Sequence, residues 1–155
     1  HLFDVSVSSS ESYCESRHIA PGNAPLALDA LGLTLGITIC YDLRFPELYR
    51  HLATAGAELF SIPSAFTVPT GRAHWHTLLR ARAIENLAWV IAPAQVGEHT
   101  SGRQTFGHSL IIDPWGGIVA ECAGGPGVIF AHLDRDNAAQ RRQQFPALTH
   151  RVLDR

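Results

Sequence analysis

The sequence predicts an α/β layered sandwich, and three observations predict it. An apolar run rich in β-branched and aliphatic residues ends at Cys40, and after a short polar loop "FPELYRHLATAGA" takes up helical spacing. The same succession recurs downstream, where "AELFSIPS" reads as a strand, "HWHTLLRARAIENLA" as a helix and "WVIAPAQVG" as a strand. Finally, "HSLIIDPWGGIVAEC" reads as two strands joined at a "DPWGG" turn. Strands alternating with helices, plus a hairpin, bury their apolar faces by layering helices on a sheet.

Each element has its own justification. The opening, "HLFDVSVSSSESYCESRHIAPGNAP", is rich in Ser, Pro and Gly and reads as a loop with at most a brief strand. From Leu31 to Cys40 the spacing is that of a buried strand. In the helix that follows, Leu48, Leu52 and Ala55 share a face, Pro46 suits the first turn and Gly56 the stop. "AFTVPTGRAH", with Pro69 and a glycine, reads as a loop, so that His74 and Trp75 open the next helix; "EHTSGRQTFG" reads as a polar loop. "GVIFAHLD" is a last strand, and "NAAQRRQQ" a short helix before the tail.

Composition bounds the function. The chain has 155 residues, 46% hydrophobic and 17% charged, enough for one domain with a real core. With Lys+Arg 12 against Asp+Glu 14 and a formal net charge of -2, no basic field exists to hold a phosphate backbone, which argues against nucleic acid as partner. Cys14, Cys40 and Cys122 are odd in number and far apart, which argues against a disulfide framework and for a reducing, cytoplasmic compartment. No apolar run has the length of a membrane span. The sequence starts at His1 and contains no Met, from which an upstream segment is expected to be absent.

Cys40 is the residue that raises a chemical question. The carboxyl end of a strand leading into a helix amino terminus is where α/β proteins place ligands and nucleophiles. The positive helix end is expected to favour a thiolate, and its free N–H groups, that of Tyr41 among them, to bind a developing oxyanion. The ordinary alternative is that Cys40 is a small buried hydrophobe. Position alone does not decide between them.

The flanking residues do. "GITICYDLRFPE" resembles the nucleophile segment of the nitrilase superfamily, the carbon–nitrogen hydrolases, and "HLFDV", "GAELFSIPSAF", "TGRAHW", "RARAIEN", "GHSLIIDPWG" and a late "HR" resemble family segments in the family's order. The branch it is most similar to is the Nit-type amidases, which include deaminated glutathione amidases and ω-amidases. The resemblance implies an α-β-β-α sandwich whose N-terminal portion is missing here, so residues 1–155 are a partial carbon–nitrogen hydrolase domain. It implies amide hydrolysis through a cysteine thioester, a small-molecule amide substrate, no metal and no organic cofactor, and a homo-oligomer, commonly a dimer.

It implies residue roles as well. Cys40 matches the nucleophile, and Glu15, in "YCES", matches a second Glu that positions the site; its plain alternative is a solvated loop carboxylate. The family's Lys and general-base Glu fall before His1. Tyr41, Phe66 and His74 are the substrate-binding candidates: the first through its N–H, the second as a wall at a strand end, the third at the site's mouth. Most relatives carry Glu after "HW" where this chain has His76. His74 and His76 form an H-x-H pattern, but no further Cys, His or carboxylate follows at metal spacing, so no zinc site is expected. Arg82 and Glu85, three apart on one helix, are expected to form a structural ion pair. Two rival readings are a Cys-His hydrolase with one of nine histidines as base, and a catalytically silent binding protein.

Overall fold

The computed structural model describes residues 1–9, 11–30, 32–100 and 102–153. Its centre is a six-stranded mixed sheet. In chain order its strands are β3 (Leu26–Ala30), β4 (Leu33–Ile37), β5 (Leu59–Ser61), β6 (Trp89–Ala92), β9 (Ser109–Ile112) and β10 (Ile118–Cys122). β4, β5 and β6 run parallel, because helices α1 (Pro46–Thr54) and α2 (Val68–Asn86) supply the crossovers between them. β3, β9 and β10 join antiparallel, through tight turns or on the flank, giving the order β10-β9-β6-β5-β4-β3.

Register explains where the core sits. Gly36, Phe60, Val90 and Ile112 stand opposite one another across four strands and all four are buried. The helices cover this row: Tyr49 of α1 meets Phe60 edge to face at 5.1 Å, and Trp75, Leu79 and Ala83 of α2 are fully buried. On the other face Trp89 and Ile111 are buried, Leu35, Leu59 and Ile91 are half-buried, and Leu26 and Leu28 on the edge strand are exposed. The sheet is therefore apolar on both faces, the pattern of a sheet with layers on both sides, while the described helices cover one.

Several expected boundaries shift. β3 pairs in a hairpin with β4 although its "LALDA" was not read as a strand; its polar Asp29 and solvent-facing leucines broke the buried-strand pattern. α2 begins at Val68, not at His74, because Pro69 lies in the first turn, where no intrahelical N–H is needed. Within α2, Gly71 is where the helix comes against the β7–β8 hairpin: a Cβ there would lie 2.3 Å from Phe106. On α1 the buried face is Tyr49 and Leu52, with Ala55 exposed at the cap. The opening, read as a loop with at most a brief strand, forms a hairpin of β1 (Asp4–Ser6) with β2 (Ser12–Cys14); "WVIAPAQVG", read as one strand, divides into β6 and β7 (Val96–Glu98), and β7 pairs with β8 (Gln104–Phe106) from the segment read as a polar loop. "GVIFAHLD" forms no strand, and its Val128 and Phe130 are exposed.

The "DPWGG" turn does join β9 to β10, with Asp113 Oδ1 accepting from the N–H groups of Trp115 (2.7 Å) and Gly117 (2.9 Å). The last helix, α3 (Arg135–Gln144), buries no residue; Arg142 docks it by donating to the carbonyls of Leu87 and Ala57. Among the described residues no helix is long and apolar enough to cross a membrane.

Candidate active site

β4 ends at Ile37, and three residues later the backbone turns at Cys40, which opens a 3-10 turn over Cys40–Arg44 ahead of α1. Cys40 has φ +46°, a left-handed conformation that a non-glycine residue adopts at a cost of about 1–2 kcal/mol. Its neighbours hold it there. Its N–H donates to Pro63 O at 2.9 Å, which ties the turn to the loop after β5, and Asp42 Oδ2 accepts the Ile39 N–H at 2.9 Å. From behind, buried Arg82 of α2 donates twice to Leu43 O, at 3.0 and 2.8 Å, and pairs with Glu85 at 2.9 Å. The expected ion pair is thus present, and its Arg also pins the turn.

The first hydrogen bond inside the turn is Asp42 N–H to Ile39 O, so the N–H of Tyr41 comes before the turn's own ladder. The Tyr41 ring sits between those of Phe3 (5.1 Å) and Phe45 (5.3 Å). Glu15 opens a short 3-10 turn after the β1–β2 hairpin and accepts the Phe3 N–H on Oε2 at 2.8 Å. Phe66 is 7% exposed, packed on Trp75 at 4.8 Å, with the Arg44 guanidinium 5.2 Å from its ring centroid.

Cys40, Glu15, Tyr41 and Phe66 all line one cleft of ≈ 2000 Å³. Small-molecule pockets are usually about 300–1,000 Å³, so this is a wide, open cleft. His74 is not among the lining residues: it sits in mid-α2, exposed, with Nδ1 3.2 Å from an Arg44 Nη atom. The structure therefore reaches His74 only through Arg44.

Burial pushes the Cys40 thiol up from its ordinary value; hydrogen bonding from the Ala65 backbone and the Ser64 hydroxyl and the charge of Arg103 pull against this, while Glu15 adds to it. The expected thiolate is therefore not what these residues favour. The reason is the removal of the sulfur from water, and the five-residue 3-10 turn at Cys40 sets it apart from the amino end of α1.

Arg103 is the cleft residue that sequence reasoning missed. It donates to the Ala65 carbonyl, lies 5.0 Å from the Tyr13 ring centroid, and its buried Nε has no acceptor. Its only sequence signal was a lone cation in a polar loop. Together the cleft holds a thiol, a carboxylate, a guanidinium and an uncommitted backbone N–H, the groups that acyl transfer requires.

Known proteins resemble this chain in sequence and fold. The family model of the carbon-nitrogen hydrolases matches residues 1–143. A deaminated glutathione amidase of Synechocystis sp. is 50% identical over 155 residues, covering 98% of this chain and 57% of its own length. The chain thus spans little more than half of that relative. The crystal structure of the C. elegans NitFhit protein superposes with TM-score 0.91 at 44% identity, over 98% of this chain and 37% of its own. A mutant of the amidase from Nesterenkonia sp. AN1, solved after Michael addition of acrylamide at its active site cysteine, gives TM-score 0.71 at 30% identity, over 85% of this chain and 52% of its own. With the family's segments matched in order from the first β-hairpin to the last helix, this chain belongs to the carbon–nitrogen hydrolase family.

Proposed function

We propose that the complete protein is an amidase that converts an amide to a carboxylate and ammonia through a thioester on Cys40, with deaminated glutathione or a related ω-amide as substrate. The observation that carries the reading is Cys40 itself. It is a cysteine held in left-handed backbone at a strand's end, on the floor of a cleft, in a chain half-identical to a deaminated glutathione amidase.

The chemistry follows from the groups. Sγ of Cys40, as thiolate, bonds to the amide carbon and the carbonyl π pair moves to oxygen, to which the Tyr41 N–H donates a hydrogen bond. The C–N bond then breaks, nitrogen takes a proton and leaves as ammonia, and water adds to the thioester carbon to release the acid and return the thiol. Glu15 orients the cleft through its hydrogen bond to the Phe3 N–H, and Phe66 serves as the wall beside the acyl group. The general base and a second oxyanion donor are assigned, on the family pattern, to a Glu and a Lys outside these 155 residues. A histidine base is disfavoured, because the groups acting on the Cys40 thiol are Ala65, Ser64, Arg103 and Glu15. The same proposal takes the protein as a cytoplasmic homo-oligomer that needs no metal for this reaction.

The test is ammonia release by the complete protein across ω-amides, deaminated glutathione included, together with nitriles and carbamoyl compounds. Turnover of the amides, abolished in Cys40→Ala, is the expected result. Turnover of nitriles alone would place the protein in another branch.

A further inference from the structure

Across α2 from the cleft, three side chains that are distant in sequence converge. His76 Nε2 lies 3.0 Å from Glu121 Oε1, and His108 Nδ1 lies 2.6 Å from the same oxygen. All three donor atoms are within 4.8 Å of one another. They come from three elements: the middle of α2, the turn between β8 and β9, and the edge strand β10. None of them lines the cleft of Cys40.

The scaffold holds these groups in place. Among the described residues His108 is one of three non-glycine residues with positive φ, at +58°. Its carbonyl accepts the Trp75 indole N–H at 2.8 Å, which locks it to the residue next to His76, and its ring stacks on Phe106 at 4.2 Å, 22° from parallel. The His76 ring meets the His108 ring edge to face at 5.2 Å. Non-glycine residues kept in sparsely populated backbone are found where the surroundings demand a particular side-chain position.

We propose that His76, His108 and Glu121 form a binding site for a borderline divalent ion of the Zn²⁺ type, which clips the edge strand β10 to α2. Two imidazoles and one carboxylate are a recurrent zinc donor set, with bonds of about 2.0–2.2 Å, so tetrahedral ligand atoms stand about 3.3 Å apart. Reaching that spacing requires the 3.0 Å and 2.6 Å N···O distances to open by about 0.3 and about 0.7 Å, within reach of side-chain rotation. Side-chain exposures of 33%, 25% and 29% let an ion enter from solvent and leave room for water as a fourth ligand. On binding, each imidazole is neutral with its proton on the non-ligating nitrogen, and any proton on a ligating nitrogen passes to solvent. Softer thiolate-seeking ions are excluded because no sulfur is in the set.

The experiment is equilibrium dialysis of the complete, chelator-treated protein against Zn²⁺ alone near neutral pH, with the thermal midpoint recorded with and without the ion. One Zn²⁺ per chain is expected, with affinity falling at least about tenfold in His76→Ala and in Glu121→Gln and unchanged in Cys40→Ala. The Zn²⁺-dependent rise in the midpoint should vanish in Glu121→Gln. That variant preserves side-chain shape and carries the test should His76→Ala fold poorly. Less than one Zn²⁺ per chain, binding indifferent to Glu121→Gln, or binding lost with Cys40→Ala would each overturn the site.

Discussion

Cys40 shows how one position is governed by opposing local forces. The left-handed turn lifts its sulfur toward the cleft, while the packing that holds the turn removes it from water, and burial is the larger influence on the thiol. A thiol raised in the folded state keeps its proton more tightly than in the unfolded chain. The stability this contributes is fully present below the ordinary thiol value and is lost as pH rises through the folded one. Alkylation of Cys40 by iodoacetamide in the 155-residue chain should therefore titrate with a midpoint above 9.0, a thiol's ordinary value. Mass mapping against pH reads this directly, with exposed Cys14 as the internal comparison. A midpoint below that value would mean that Ser64, Ala65 and Arg103 outweigh burial.

At the scale of elements, the nucleophile's turn is held by α2 more than by the helix that follows it. Arg82 reaches across with two hydrogen bonds to Leu43 O, and its guanidinium carbon lies 5.3 Å from the Tyr49 ring centroid on α1, so one side chain joins two helices and the turn. Arg82→Ala removes both donors from a buried carbonyl and leaves Glu85 unpaired. The loss should be about 2–4 kcal/mol, read as a lower midpoint in urea denaturation. An Arg82→Ala protein as stable as the parent would show that the turn needs no brace from α2. The ion pair was legible from the i, i+3 spacing on a helix. The bond to Leu43 O was not, because nothing local connects positions 43 and 82.

For the molecule as a whole, the less buried second face of the sheet and the width of the cleft bear on stability and rate. Leu35, Leu59 and Ile91 are half-buried on that face, with Leu26 and Leu28 exposed beside them. The 155-residue chain should melt less cooperatively than a chain spanning the full length of its relatives. With the general base and the second oxyanion donor proposed to lie outside these residues, it should also release ammonia at least about a hundredfold more slowly. A cooperative melt with amide turnover near that of the complete protein would transfer the base and donor roles to residues within this chain. The fold class and the seam at Cys40 were legible because they rest on local order: apolar runs of strand length, a helical spacing after Pro46, a "DPWGG" turn whose aspartate caps its own backbone. The resemblance to the carbon–nitrogen hydrolases was legible in contiguous segments for the same reason. The tertiary structure alone decided which side chains share a site. It brought Arg103 to the cleft, left His74 outside it, set the proton affinity of Cys40, and joined His76 to His108 and Glu121. Those outcomes depend on residues far apart in the chain, 63 positions for Cys40 and Arg103 and 45 for His76 and Glu121, and on water excluded by packing, neither of which has a local signature in the chain.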